Sequence, residues 1–248
     1  MTRAQRQDTA HGAILFDASL AAQAQDGWFD PAWWHAHGAT SAATGGRGSA
    51  WLVEAPFGPC VLRHYRRGGL AARLLGDRYL WTGEARTRAF AEFRLLQALA
   101  ARGLPVPAPV AARYVRHGLA YRADLLMQRI PQSETLAQWI AQDRVDEATL
   151  ARVGATVAAF HAAGAYHADL NAHNVMFGDD RVYLIDFDRS ELRAPSRGWQ
   201  AANLARLKRS LVKLEMRGVE TLWGALERAY DQRLNVAGDA PMGKGIRT

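Results

Sequence analysis

The sequence predicts an α+β protein of two lobes: a small β-rich N-terminal lobe over residues 1–130 and a larger helical C-terminal lobe over residues 131–248. Three observations predict it. A glycine-rich segment, 45–53, runs into an apolar strand and a Pro56-Phe57-Gly58-Pro59 hairpin turn. A strand pattern at Leu125–Ile130 is followed by helical spacing at Thr135–Asp143 and Thr149–Ala163. A polar loop, Tyr166–Asn174, then leads into two short strand patterns joined by a tight turn.

The order of these last elements carries the chemistry. The helix has Leu150, Val153, Val157 and Phe160 at helical spacing, and Gly164 can end it. After the loop, Val175-Met176-Phe177 reads as a strand, Gly178-Asp179-Asp180 as a turn, and Val182–Ile185 as a second strand that delivers Asp186. The loop reads H-A-D-L-N-A-H-N from His167 to Asn174, and the strand end reads D-F-D from Asp186 to Asp188. Phosphoryl transfer from ATP needs a carboxylate at the attacking hydroxyl, plus an amide and a second carboxylate to hold Mg²⁺ against the phosphates. The kinase pattern H-R-D-L-x-x-x-N plus D-F-G matches in register at His167, Asp169, Leu170, Asn174, Asp186 and Phe187. Ala168 replaces its Arg and Asp188 its final Gly. Alone, each piece is an ordinary turn or cap residue; together they predict a bilobal, protein-kinase-like fold.

Composition permits this. The chain has 248 residues, 49% of them hydrophobic, enough for one large domain or two lobes. No apolar run approaches the roughly 20 residues that span a bilayer. Met1–His11 is polar, without an apolar signal core, so no export is expected. The single Cys60 cannot form an internal disulfide, which fits a reducing cytoplasm. A net charge of +7 permits nucleic acid, anionic lipid and phosphorylated partners, although an Arg-rich composition alone also accounts for it.

In the N-terminal lobe, Gly46-Arg47-Gly48 lies before a strand, where glycines let backbone N–H groups approach phosphates. Trp51 occupies the third glycine position of the kinase loop. The lysine that kinases place on the following strands is absent, because the first lysine of the chain is Lys208. Arg63 is the candidate substitute; its forked guanidinium can pair with phosphate or carboxylate. The alternative is a surface arginine on an edge strand. A helix is expected over Thr82–Arg102 with Thr82 as N-cap, and Glu92 within it is the expected partner of Arg63, with Glu84 as competitor.

Several segments carry two readings. Arg63, Arg66, Arg67, Arg73 and Arg78 surround Gly68-Gly69, with Leu70, Leu74 and Leu75 nearby. This is either a glycolipid- or membrane-binding loop, with Arg66 and Arg67 as substrate residues, or a solvated basic loop. Trp28, Phe29, Trp33 and Trp34 form either a membrane belt or, the favoured reading, the packing of an N-terminal extension onto the small lobe. Arg206, Lys208, Arg209 and Lys213 face phosphates or only solvent. Gly238–Thr248 reads as a frayed tail.

The chain resembles the 3-deoxy-D-manno-octulosonic acid (Kdo) kinase family. Gly46-Arg47-Gly48, Leu62–Gly69 (L-R-H-Y-R-R-G-G), Arg88–Phe93 (R-A-F-A-E-F), Gly103–Pro107 (G-L-P-V-P), Asp169–Asn174 (D-L-N-A-H-N) and Ile185–Asp188 (I-D-F-D) carry the resemblance, from about Trp28 to Arg217. It implies ATP-dependent phosphorylation of the 4-hydroxyl of a Kdo residue on Kdo-lipid IV(A), in lipopolysaccharide core biosynthesis. It also implies a peripheral protein at the cytoplasmic face of the inner membrane, meeting an anionic membrane surface, with no nucleic acid and no obligate protein partner. Asp169 is then the catalytic base, Asn174 and Asp186 hold Mg²⁺, Arg63 binds nucleotide phosphates, and His167 braces the loop. Ala168 and the short segment between Phe187 and Arg197 imply a constitutively competent enzyme. Three rivals remain: a kinase-like phosphotransferase on another sugar or protein, an inactive kinase-fold binding module, and a nucleic-acid-binding domain suggested by charge alone.

Overall fold

A computed structural model describes residues 3–44, 50–66 and 76–238. Expectations for Gly46, Arg47, Gly48, Arg67, the loop through Arg73 and the tail after Gly238 lie outside the described residues. The chain forms two compact units: Met1–Pro131 with Phe187–Arg189, and Gln132–Asp186 with Ser190–Thr248.

The first unit opens on a hairpin that the sequence reading passed over, β1 (Ala4–Thr9) and β2 (Gly12–Asp17), paired from Ala4–Asp17 to Thr9–Gly12. β1 is polar and largely exposed, so it has no alternating apolar signal; its strand form comes from pairing with β2, which buries Ala13, Ile14, Leu15 and Phe16. Helix α1 (Pro31–Ala36) follows, with Pro31 in its first turn and the Asp30 carboxylate accepting from Ala32 N at 2.9 Å. Trp28, Phe29 and Trp34 are buried in the core with Ile14, Phe16 and Val110, and Trp34 Nε1 donates to Trp28 O at 2.8 Å. The aromatic group therefore packs inside this unit and is no membrane belt.

Strands β3 (Thr40–Thr44), β4 (Ala50–Ala55), β5 (Gly58–His64) and β6 (Tyr79–Leu80) lead to helix α2 (Arg88–Ala101). Strands β7 (Pro109–His117) and β8 (Ala120–Gln128) complete one antiparallel sheet in the order β1-β2-β7-β8-β5-β4-β3, with β6 added to β8. The pairing of β5 with β4 and β8 sets Arg63 opposite Ala50 and Leu125. Helix α2 starts at Arg88, not after Thr82 as expected. Gly83 sits at φ 111°, Glu84–Arg86 is a 3-10 turn, and Thr87 is extended. The Glu84 carboxylate, which the expected Thr82–Arg102 helix would include near its start, is drawn instead to Arg6 (2.9 and 3.0 Å) and to the Tyr114 hydroxyl (2.9 Å). From Arg88 onward α2 buries Phe90, Phe93, Leu96 and Leu99.

The second unit begins with β9 (Glu134–Thr135) and helix α3 (Leu136–Ala141), which Thr135 and Gln138 close with a reciprocal capping box. Helix α4 (Glu147–Ala162) starts two residues before the expected Thr149, because the Asp146 carboxylate caps it, accepting from Thr149 N at 2.8 Å. Gly164 at φ 77° turns the chain out of it. Strand β10 (Ala165–Tyr166) precedes the loop, whose end is a 3-10 turn at Ala172–Asn174. Strands β11 (Val175–Gly178) and β12 (Arg181–Leu184) form the expected hairpin; Asp179 and Asp180 both take positive φ (46° and 57°), as a two-residue turn of matching twist requires. β13 (Glu191–Leu192) pairs back with β10, and helices α5 (Arg197–Lys213) and α6 (Val219–Gly238) follow. No helix of the described residues is long and apolar enough to cross a membrane.

Helices α4 and α6 touch closely at Gly154, where an added Cβ would stand 2.2 Å from Leu226 O. Gly154→Ala must force the helices apart, so it should cost about 1–3 kcal/mol, read as a lower midpoint in urea or thermal unfolding. An unchanged midpoint would contradict this close approach.

Candidate active site

In the second unit the loop is curled around one backbone carbonyl. Asp169 O accepts from both Asn171 Nδ2 and Asn174 Nδ2, each at 2.9 Å, and Asn174 N donates to Asn171 O at 3.0 Å. With its amide nitrogen committed there, the Asn174 side chain is left with its oxygen as ligand. Ile185 N donates to Asn174 O at 3.0 Å, which fastens the end of the loop to the residue before Asp186. Asp186 itself adopts φ 62°. A non-glycine residue in that region costs on the order of 1–3 kcal/mol and persists only where its surroundings hold it. An amide oxygen and a carboxylate make a hard-oxygen donor set, which fits Mg²⁺; Asn174 is buried.

His167 fixes both halves. Asp169 N donates to its Nδ1 at 3.2 Å, and its Nε2 donates to Ile185 O at 3.0 Å. Both ring nitrogens are thus used by a neutral imidazole, in keeping with a pKa that burial holds below the ordinary histidine value. Behind it, Asn203 of α5 accepts from His167 N (3.2 Å) and donates to His167 O (3.0 Å). Asn203 Oδ1 also meets His161 Nε2 at 3.4 Å, and His161 Nδ1 lies 2.7 Å from the Tyr230 hydroxyl. One buried polar chain therefore runs from α6 through α4 and α5 to the loop.

The Asp169 carboxylate itself is open, with 57% of the side chain exposed. Its ion-pair partner is Arg206 of α5, Nη1 to Oδ1 at 3.2 Å. The sequence suggested only a basic stretch there. The signal that could have found Arg206 is its spacing on α5 from Asn203 and Ser210, since Ala172 N donates to Ser210 Oγ at 3.0 Å. One face of α5 therefore lies along the loop.

In the first unit, Arg63 meets Glu92 as the sequence suggested, Nη1 to Oε1 at 3.2 Å and to Oε2 at 3.4 Å. Glu92 is buried, and a buried carboxylate needs its lone pairs filled. Oε2 also accepts from the Tyr65 hydroxyl and Oε1 from Phe187 N at 3.1 Å. Glu84, the competing candidate, is used elsewhere. Asp188 is bound by Arg88 through both carboxylate oxygens, Nε to Oδ1 at 2.7 Å. Arg88 opens α2, where a bare cation opposes the helix dipole; the Asp188 carboxylate offsets it. Neither the Tyr65 nor the Arg88 contact was foreseen. Arg66 is exposed at the end of the described strand region.

Comparison with known proteins gives the family and the fold. Residues 31–230 match the model of the "Lipopolysaccharide kinase (Kdo/WaaP) family". The chain is 49% identical over 242 residues to a protein of Stenotrophomonas maltophilia (strain K279a) named 3-deoxy-D-manno-octulosonic acid kinase, covering 93% of this chain and 94% of that one. It is 50% identical over 231 residues to a protein of the same name from Xanthomonas campestris pv. campestris (strain B100), covering 91% and 92%. Among solved structures, "WaaP in complex with acyl carrier protein" aligns with a TM-score of 0.54 at 16% identity over 83% of this chain and 85% of that chain, which shows the kinase-like fold.

The buried polar chain has a pH signature. Burial, more than the opposing Asn203 hydrogen bond, lowers the His161 pKa from 6.5 to about 4. The unfolded chain then binds the proton first, so stability should fall as pH drops from 6.5 to about 4 and level off below, by up to about 3 kcal/mol. Thermal midpoints across this range should show the decline, and His161→Asn should remove part of its slope. An identical slope in the variant would contradict the assignment.

Proposed function

The chain belongs to the lipopolysaccharide kinase (Kdo/WaaP) family, and from that premise we propose that it transfers the γ-phosphoryl group of ATP to the 4-hydroxyl of a Kdo residue on Kdo-lipid IV(A). The observation that carries this is the fastening of Asn174 to Ile185 behind the open Asp169 carboxylate. It supports the reading because phosphoryl transfer needs a carboxylate at the hydroxyl and an amide–carboxylate pair for the metal, and this unit carries Asp169, Asn174 and Asp186 on joined segments. The names of the two bacterial relatives support Kdo as the acceptor sugar; the 4-hydroxyl and the lipid IV(A) carrier follow the family resemblance.

Asp169 orients the acceptor hydroxyl and takes its proton as the hydroxyl oxygen forms the new bond to the γ-phosphorus. The bond from that phosphorus to the bridging oxygen breaks, and ADP leaves with the electron pair. Asn174 and Asp186 hold Mg²⁺, which when bound neutralises the charge developing on the phosphate oxygens. Arg63 takes nucleotide phosphates, and Glu92 with Tyr65 keeps its guanidinium aimed. The Gly46-Arg47-Gly48 segment supplies backbone N–H groups to the same phosphates. His167 bears no proton-transfer role; both its nitrogens are engaged in holding the loop.

A lipid-borne acceptor places the enzyme at the cytoplasmic face of the inner membrane, held peripherally by anionic headgroups. Arg66 and Arg67 are the residues we assign to that anionic acceptor surface.

The test is transfer from labelled ATP with Mg²⁺ to Kdo-lipid IV(A), run beside a heptosylated acceptor. Label should enter the Kdo-lipid. Asp169→Ala should fold and lose about 10²–10⁴-fold in kcat; near-normal turnover in the folded variant would remove Asp169 as base. Label entering only the heptosylated acceptor would move the enzyme to another sugar. Replacing Arg66 and Arg67 together by Ser should raise the KM for lipid-borne acceptor and leave the KM for ATP unchanged; equal acceptor KM would return them to a solvated surface.

A further inference from the structure

The Arg206–Asp169 ion pair has no counterpart in the roles assigned so far. Arg206 and Asp169 expose 43% and 57% of their side chains. An open pair of this kind adds little to stability, so folding gives it no strong purpose. Its position is specific, however. Asn203 and Ser210 fix the same face of α5 to the loop by hydrogen bonds at His167 and Ala172, and Arg206 lies between them in sequence, its guanidinium 3.2 Å from the carboxylate proposed to receive the acceptor hydroxyl.

We propose that Arg206 is the receptor for the acceptor's own carboxylate. The inference rests on the reading of the acceptor as a Kdo sugar, which is an acid. In such a sugar three carbon–carbon bonds separate the carboxyl carbon from the carbon bearing the 4-hydroxyl, a span of about 4 Å at most. One sugar can therefore place its hydroxyl on Asp169 and its carboxylate on Arg206 at once. A guanidinium binds a carboxylate through two parallel N–H groups, which fixes orientation as well as position. In the free protein one arm of that fork, Nη1, lies 3.2 Å from Asp169 Oδ1. The incoming carboxylate takes the guanidinium over and leaves the Asp169 oxygen for the hydroxyl proton. The same exchange selects a sugar acid over a neutral sugar, which has nothing to release Asp169 from Arg206.

The experiment compares Kdo-lipid IV(A) with the methyl ester of its acceptor carboxylate, for wild type, Arg206→Ala, Arg206→Lys and, as control, Lys208→Met, whose lysine pairs with Glu220. Circular dichroism and thermal midpoints establish that each variant is folded. Wild type should favour the acid over the ester by about 10- to 100-fold in kcat/KM. Arg206→Ala should lose that preference through a raised KM for the acid, Arg206→Lys should keep part of it, and Lys208→Met should behave as wild type. A preference unchanged in Arg206→Ala overturns the assignment while the acceptor reading stands. A raised KM for ATP with an unchanged acceptor KM also overturns it, and gives Arg206 to the nucleotide. Wild type inactive on both forms removes the acceptor reading, and this inference with it.

Discussion

The imidazole of His167 is the constraint on which the second unit's chemistry depends. It is buried and neutral, and each ring nitrogen has one task, accepting from Asp169 N and donating to Ile185 O. Those two backbone groups belong to segments 16 residues apart in sequence, one carrying Asp169 and the other ending one residue before Asp186. A side chain able to accept at one end and donate at the other is needed, and a neutral imidazole supplies both on a rigid ring. Protonation would replace the acceptor at Nδ1 by a second donor facing the N–H of Asp169. Burial guards against this by holding the pKa down, and the amide of Asn203 orders the backbone on both sides of the ring.

The first unit solves a different problem, that of keeping a carboxylate charged where water is excluded. Glu92 does so by filling its oxygens from three directions: a guanidinium, a phenol and a backbone N–H. Arg63 also lies over the Tyr65 ring at 4.9 Å, so the phenol that serves Glu92 supports the guanidinium too. Arg63 reaches both Glu92 oxygens through Nη1 while its planar guanidinium lies over the Tyr65 ring, and a lysine's compact ammonium would keep the charge but lose that planar stacking. The arginine thus has its own supporting residues in this unit, Glu92 and Tyr65.

Much of this was legible in the sequence, and for a definite reason. Asp169, Asn174 and Asp186 are set by local spacing: a loop of fixed length, then a hairpin with a two-residue turn, whose composition Gly178-Asp179-Asp180 announces. The Arg63–Glu92 pair was legible because each residue sits at a definable place in its own element. What stayed hidden depends on which distant element comes alongside. The basic stretch on α5 could not be sorted into pairing and solvated members until Asn203 and Ser210 fixed its face to the loop. The N-terminal start of α2 was misplaced because Arg6 and Tyr114, far away in sequence, compete for Glu84. Strand β1 carries too few apolar residues to declare itself and is a strand only because β2 is beside it.

The segment after Asp186 shows why Ala168 can stand where regulated kinases keep an arginine. That arginine orders an activation segment once the segment carries phosphate. Here the order is built from groups already present. Ala168 N donates to Ser190 Oγ at 3.0 Å, Glu191 and Leu192 pair with Tyr166 and Ala165, and Arg193 lies 3.6 Å over the Tyr166 ring while reaching Glu191. Arg193 N also bonds Gly164 O at 2.8 Å, and the chain then enters α5 at Arg197. A segment held by backbone pairing and a hydroxyl leaves a phosphate-reading arginine with nothing to read. The same short connection brings α5 in directly after the strand pairing, so the helix that carries Arg206 is placed by the loop it serves.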